Sequence, residues 1–295
     1  LKKKVVLAGG TGFIGKYLES QFTKQNYEVI IISRQPQHIA WTDEKAISAA
    51  IDRSELVINL AGKSVDCRYN EKNKKEIFDS RTETTRIIGE AIESVQSPPE
   101  LWINSSTATI YRHAEDRPMT ETTGEIGEGF SVEVAKAWEK SFFDFDLPKT
   151  RQAALRIAIV LGKEGGVMTP FKNLVTFGLG GVQGPGTQMF SWVHIEDVYR
   201  IMIFIRDRKD LQGVFNCSAP NPISNKQFMA MMREKMNRKI GFPSPKWMLE
   251  IGAVVIRTET ELILKSRWVI PERLEREGYQ FKYPDIEETL ADILS

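Results

Sequence analysis

The chain has 295 residues, with 40 Lys and Arg against 39 Asp and Glu, a formal charge of +1, 41% hydrophobic and 27% charged residues. That length suits two modest domains or one nucleotide-fold core with an added lobe, and the absence of any long block of like charge disfavours nucleic acid or anionic lipid as a partner. Cys67 and Cys217 are too few for a disulfide framework and fit a reducing, cytoplasmic setting, while no stretch makes a membrane span, since the most apolar late segment, Trp247 to Ile256, is broken by Glu250.

Lys4 to Ala8 reads as a first strand and not as the core of a leader, because its apolar run stops at once in glycines. Gly9, Gly10, Thr11, Gly12, Phe13, Ile14 and Gly15 follow directly and open a helix, Gly15 to Lys24. In that context a glycine pattern is a dinucleotide fingerprint, with a tight turn and a helix N-terminus offered to a pyrophosphate. A second strand, Tyr27 to Ile32, ends in Ser33 and Arg34 where an acidic residue would take the ribose 2′-hydroxyl of NAD. A hydroxyl and a guanidinium suit a 2′-phosphate instead, so the expected cofactor is NADP(H).

The pattern continues as helix Asp43 to Ile51, strand Leu56 to Leu60, helix Glu71 to Val95, strand Leu101 to Asn104, helix Ser131 to Phe145 and strand Ala153 to Val160. Strands apolar on both faces alternating with crossover helices predict a parallel sheet covered on both sides, a doubly wound α/β fold of the Rossmann type. Asn59, Leu60, Ala61 and Gly62 then fall at the carboxyl edge of the sheet, where such folds bind ligands.

After Gly162 the pattern changes to a glycine-rich loop, Gly178 to Gly186, followed by a short strand, Val214 to Cys217. Ser224 and Gln227 have the spacing of a capping box, and Phe228, Met232 and Met236 recur as a core stripe. From Pro243 onward, prolines punctuate short helices. The expected division is a nucleotide domain, 1–162 with a returning strand near 212–218, and a smaller substrate lobe, 163–211 and 219–295, that includes a terminal module over 243–295.

Several blocks carry a more specific likeness: the glycine loop, Asn59 to Gly62, Ser80-Arg81 with Thr84-Thr85, Ser105 to Tyr111, Ala137-Trp138-Glu139, Arg156 with Val160 to Gly162, Phe190 to Asp197, Ser266 with Val269 to Pro271, and Gly278 to Phe281. Together they resemble the extended short-chain dehydrogenase/reductases of the sugar-nucleotide epimerase type. Within these the match is to an atypical NAD-dependent epimerase/dehydratase-like family with a C-terminal module of unknown function. The resemblance implies NADP(H) held by the glycine loop, Ser33, Arg34, Leu60, Ala61, Gly62, Glu76, Arg81 and Val160. It also implies a small-molecule or nucleotide-linked substrate, and one branch of the relatives is linked to cell division. Arg81 could alternatively pair with Glu76, which lies one and a half turns earlier on the same helix.

Reductases and epimerases of this class use a tyrosine as proton relay, a lysine four residues later, and a Ser or Thr hydroxyl on the substrate oxygen. Thr107 takes the hydroxyl position and Lys136 the lysine position, which leaves Val132 where the tyrosine belongs. Tyr111 is the first substitute acid, with Tyr69, Arg68 and His113 nearby, or else it is an aromatic packed under the lobe. Two readings follow: an oxidoreductase or epimerase-like enzyme with altered chemistry, or an NADP(H)-bound regulator or assembly factor without turnover. His194 and Asp197 read as a helix cap or a bridge between domains. Three scattered histidines and two distant cysteines make no metal set. Neither the substrate nor the oligomeric state is encoded in these motifs.

Overall fold

A computed structural model describes residues 2–65, 67–244 and 264–295. Six strands form one parallel sheet: β1 (Lys4–Ala8), β2 (Glu28–Ile32), β3 (Leu56–Asn59), β4 (Leu101–Thr107), β5 (Arg151–Ile157) and β9 (Gly213–Cys217), in the order β2-β1-β3-β4-β5-β9. The chain steps from β1 to β2 on one side and returns to β3 on the other, so the topological switch point lies between β1 and β3, where ligands of open α/β sheets bind.

Successive side chains of a strand face opposite layers. Val5, Leu7, Leu56, Ile58, Leu101 and Ile103 pack against Leu18 and Phe22 of α1 (Phe13–Lys24) and against Val198, Ile201 and Met202 of α6 (Ile195–Asp207). Their neighbours Val6, Ala8, Val57 and Trp102 pack on the other side against α2 (Glu44–Ile51), α3 (Glu71–Ser94) and α4 (Phe130–Phe143). This double coverage is why the strands read as unbroken apolar runs. Helix starts follow local chemistry: Asp43 accepts the Ala46 N–H at 3.0 Å to cap α2, and Asn70 accepts the Asn73 N–H at 2.8 Å to cap α3.

Two features depart from the sequence reading. Helix α6 lies beside α1 on the sheet, although it falls in the stretch 163–211 assigned to the smaller lobe, because its apolar residues give the buried face but not the layer it meets. The apolar run 153–160 is also two strands. Ala158 breaks it, and β6 (Ile159–Leu161) leaves the sheet to pair with β8 (Trp192–His194).

The remaining elements are α5 (Met168–Thr176), β7 (Met189–Phe190), β10 (Ile223–Ser224), α7 (Asn225–Lys235), α8 (Glu272–Arg276) and α9 (Ile286–Leu294). The capping box at Ser224 and Gln227 forms, and Phe228 and Met232 are buried with Leu161, Met168, Trp192 and Leu290. Among the described residues no helix is long and apolar enough to cross a membrane. The segment Trp247 to Ile256 lies outside the described residues.

Candidate cofactor site

Gly9 follows β1 in the left-handed region, φ 75°, where a Cβ would lie 2.6 Å from Cα and N of Ala61 on the neighbouring loop. A Cβ on Gly15 would come within 2.2 Å of the Gly10 carbonyl oxygen. Both glycines therefore serve close backbone packing. Gly12 differs: its φ of −82° is open to any residue, and a Cβ there would meet nothing within 4 Å. Gly12 borders open space in front of α1, whose N-terminus no side chain caps. The first-turn N–H groups and the positive dipole end face that space, as a helix N-terminus receiving a phosphate requires. The Phe13 ring packs against Gly162, Gly165 and Gly166, so the end of β6, with Val160, lies beside the same loop.

The turn after β3 is held by a buried amide. Asn59 Oδ1 accepts the Ala61 N–H at 3.0 Å, while Nδ2 donates to Asn104 Oδ1 at 2.7 Å and to Thr85 Oγ1 at 3.0 Å. The Trp138 indole N–H also donates to Thr85, at 3.1 Å. In the sequence Asn59, Thr85 and Trp138 stand out as motif members without such a role, and Asn104 only as the end of a strand; together they hold the turn of Leu60, Ala61 and Gly62 beside the glycine loop.

Arg81 does not pair with Glu76. Its largely buried guanidinium donates to the carbonyls of Lys63 and Ile77 at 3.1 and 3.0 Å and lies 5.1 Å from the Trp138 ring centroid. Burial pulls it down to about 10, so it remains cationic at neutral pH. No carboxylate pairs with it among the described residues. Glu76 turns instead to Lys63, and that hydrogen bond holds its carboxyl below the usual range. A largely buried cation that meets carbonyls and an aromatic ring, and no carboxylate among the described residues, complements an anionic ligand beside an open helix N-terminus.

After β2, Arg34 stands exposed and Ser33 is buried. Ser33 Oγ accepts the Gln35 N–H at 3.0 Å and lies 3.0 Å from His38 Nδ1. Its hydroxyl is thus engaged within its own turn, and Arg34 is the group presented outward.

At the end of β4, Thr107 Oγ1 accepts the Thr109 N–H at 3.1 Å and retains its own proton to donate. Tyr111 is 1% exposed; its hydroxyl accepts from Arg156 Nη1 at 2.9 Å and donates to Asn216 Oδ1 at 2.8 Å. Burial pushes the phenol upward. Tyr111 is thereby committed to the interior and does not reach the cleft as a replacement acid. Arg156 also forms a bidentate pair with Glu139, both bonds 2.8 Å, and Glu139 accepts from Ser106 at 2.6 Å. Burial opposes the charge of Arg156, but Glu139 outweighs it and the guanidinium is raised. Val132 is fully buried with Ala108, Tyr111 and Ala135, whereas Lys136 is half exposed and pairs with Glu133 at 3.0 Å. Among the described residues no cluster of three His, Cys, Asp or Glu side chains could hold a metal ion.

His194 and Asp197 fasten the C-terminal segment. His194 Nδ1 accepts the Glu196 N–H at 3.1 Å, capping α6, and Nε2 lies 3.3 Å from Asp292 of α9. The buried Asp197 carboxylate accepts from the Tyr279 hydroxyl and from the N–H groups of Lys282 and Tyr283. Burial lowers the His194 pKa despite Asp292. The imidazole thus binds its proton less readily folded than unfolded, and its stabilising contribution, full above about pH 6.5, is lost as pH falls below it. Chemical denaturation at pH 7.5 and 5.5 should show lower stability at the acid value, with a smaller difference in His194→Gln; an unchanged difference would remove His194 from the account.

Residues 5–131 match the model of the NAD dependent epimerase/dehydratase family, and residues 244–293 match a domain of unknown function, DUF1731. The human epimerase family protein SDR39U1 is 31% identical over 99% of this chain and 100% of its own length. This chain belongs to the epimerase/dehydratase family. The crystal structure of human SDR39U1 (isoform 2) with NADPH superposes with a TM-score of 0.89 at 30% identity, covering 99% of both chains. A nucleoside-diphosphate sugar epimerase from Corynebacterium glutamicum gives 0.78 at 27% identity, covering all of this chain and 58% of the other. In this family member Gly9 lies against Ala61 at the switch point, Arg81 lies against Gly62, and Phe13 lies against Gly162 and Gly166 at the end of β6.

Proposed function

We propose that this chain binds NADP(H) at the switch point, with the pyrophosphate on the Gly9 to Gly15 loop and α1, and the adenosine 2′-phosphate on Arg34. Arg81, Leu60, Ala61, Gly62, Glu76 and Val160 line the rest of the cofactor's path. The observation that carries this reading is the split among the glycines, with Gly9 and Gly15 closed against backbone and Gly12 open. The full-length likeness to a protein solved with NADPH supports it. When bound, the cofactor supplies a hydride donor or acceptor.

The substrate is a small or nucleotide-linked carbonyl or alcohol, in the cleft between the nucleotide domain, 1–162 with α6 and the strand near 212–218, and the smaller lobe. A likeness to a nucleoside-diphosphate sugar epimerase supports the nucleotide-linked class. Thr107 offers the hydroxyl that fixes the substrate oxygen. Position 132 is valine, and the Tyr111 phenol is held by Arg156 and Asn216, so neither position supplies the relay. A proton relay contributes about 10² to 10⁴ in rate, so ordinary carbonyl reduction should be slow by that factor. The same observation favours a second reading, an NADP(H)-bound regulator without turnover.

NADPH oxidation measured against a panel of aldehydes, ketones and nucleotide-linked keto sugars separates the two. Turnover abolished by Thr107→Val, with cofactor affinity retained, is the enzyme result. Strong NADPH binding with no turnover on any member favours the regulator.

A further inference from the structure

The turn after β2 contains an imidazole that the cofactor reading leaves without a task. Ser33 Oγ has one proton. It accepts the Gln35 N–H at 3.0 Å and faces His38 Nδ1 at 3.0 Å, so that hydroxyl and ring share a single hydrogen bond. Position 38 is tightly held: its N–H donates to Gln35 O at 3.1 Å, and the adjoining Ile39 exchanges bonds with Ile31 and Ser33 at 3.1 and 2.9 Å. The backbone at position 38 is thereby fixed beside Ser33, within reach of its hydroxyl.

We propose that His38 is a positioning residue for the adenosine 2′-phosphate, acting through Ser33, and that it makes the preference for NADP(H) pH-dependent. The proposal rests on the NADP(H) reading above. Phosphate oxygens only accept hydrogen bonds. For Ser33 to serve one, its single proton must point at the phosphate, and the 3.0 Å contact with His38 then survives only if Nδ1 carries a proton. A neutral ring can supply it only in the Nδ1–H form, whereas the imidazolium always does, and a nearby dianion favours the charged ring. Binding of a 2′-phosphate thus turns the hydroxyl outward and draws a proton onto the ring, giving a chain from imidazolium to hydroxyl to phosphate.

Among the described residues, Arg34 lies on the turn itself, and the Glu76 carboxyl of α3 feels Arg34 and is held by Lys63. Asp43 is committed to capping α2.

The test is calorimetric titration of the whole chain with NADP⁺ and NAD⁺ at pH 6.5 and 8.5, read as the ratio of the two affinities. NAD⁺ lacks only the 2′-phosphate, so effects elsewhere in the site cancel. A phosphate monoester has its second pKa near 6 and gains charge across this range, which alone would raise the ratio with pH; the His38 device predicts the opposite sign. In the wild type the ratio should fall about three- to tenfold from pH 6.5 to 8.5. In both His38→Gln and Ser33→Ala the fall should vanish, with a thermal melt matching the wild type as the check on folding. A wild-type ratio that stays flat or rises with pH, or a fall that persists in either variant, overturns the proposal. A wild-type ratio near one at both pH values, unchanged by Arg34→Ala, is instead the failure of the NADP(H) reading itself.

Discussion

Gly12→Val is expected to abolish NADP(H) binding while leaving the fold intact. At Gly12 the backbone angles suit any residue and the space beyond is free of protein atoms, so the new side chain displaces nothing of the chain itself. Valine is a poor N-cap, which costs about 1 kcal/mol at most. It would, however, occupy the volume in front of α1 that the pyrophosphate needs. Gly15→Val should behave in the opposite way. There the Cβ meets the Gly10 carbonyl oxygen at 2.2 Å, and overpacking against backbone costs about 1 to 3 kcal/mol or more. NADPH fluorescence titration beside thermal melting separates the two: loss of binding with a native melt for Gly12→Val, and a lowered melt for Gly15→Val. Unmodified NADPH affinity in a folded Gly12→Val protein would mean that this loop does not hold the phosphates.

The second large effect lies behind the site. Glu139→Ala should destabilise the protein by about 3 to 5 kcal/mol, because it leaves the Arg156 guanidinium buried without its bidentate partner. It also strips Ser106 of its acceptor. The network ties β4, α4, β5 and β9 together through Tyr111 and Asn216, so its loss is expected to loosen the strand ends that frame the cleft. Tyr111→Phe removes one hydroxyl and two hydrogen bonds, and should cost about 1 to 3 kcal/mol. Denaturant midpoints give both values. If Tyr111→Phe instead left stability untouched but removed turnover on a substrate found in the carbonyl panel, Tyr111 would be a proton donor after all.

The sheet and its switch point were readable in the sequence. Strands apolar at every position between crossover helices must be covered on both faces, which a doubly wound parallel sheet provides, and the glycine loop sits directly after the first of them. Less was readable wherever a side chain could choose among partners. Glu76 lies five positions before Arg81 and looks like its counter-ion, yet it pairs with Lys63 from the β3 loop, and Arg81 goes to two carbonyls. Tyr111 follows the strand that carries Thr107, but its phenol is claimed by Asn216, 105 residues further along. The four-residue spacing of 132 and 136 says nothing about which of them faces the cleft; packing buries Val132 and turns Lys136 to Glu133. Each miss is a competition between near and distant partners, which spacing does not decide.

The central claim, a site built for the 2′-phosphate of NADP(H), is tested most directly by calorimetric titration of NADPH and NADH against the wild type and Arg34→Ala. Charge-assisted bonds from Arg34 to the phosphate should contribute about 1.5 to 3 kcal/mol, so the wild type should bind NADPH about 10- to 100-fold more tightly than NADH. Arg34→Ala should bring the two within a few-fold by weakening NADPH alone. Equal affinities in the wild type, or a preference that survives Arg34→Ala, would contradict the assignment.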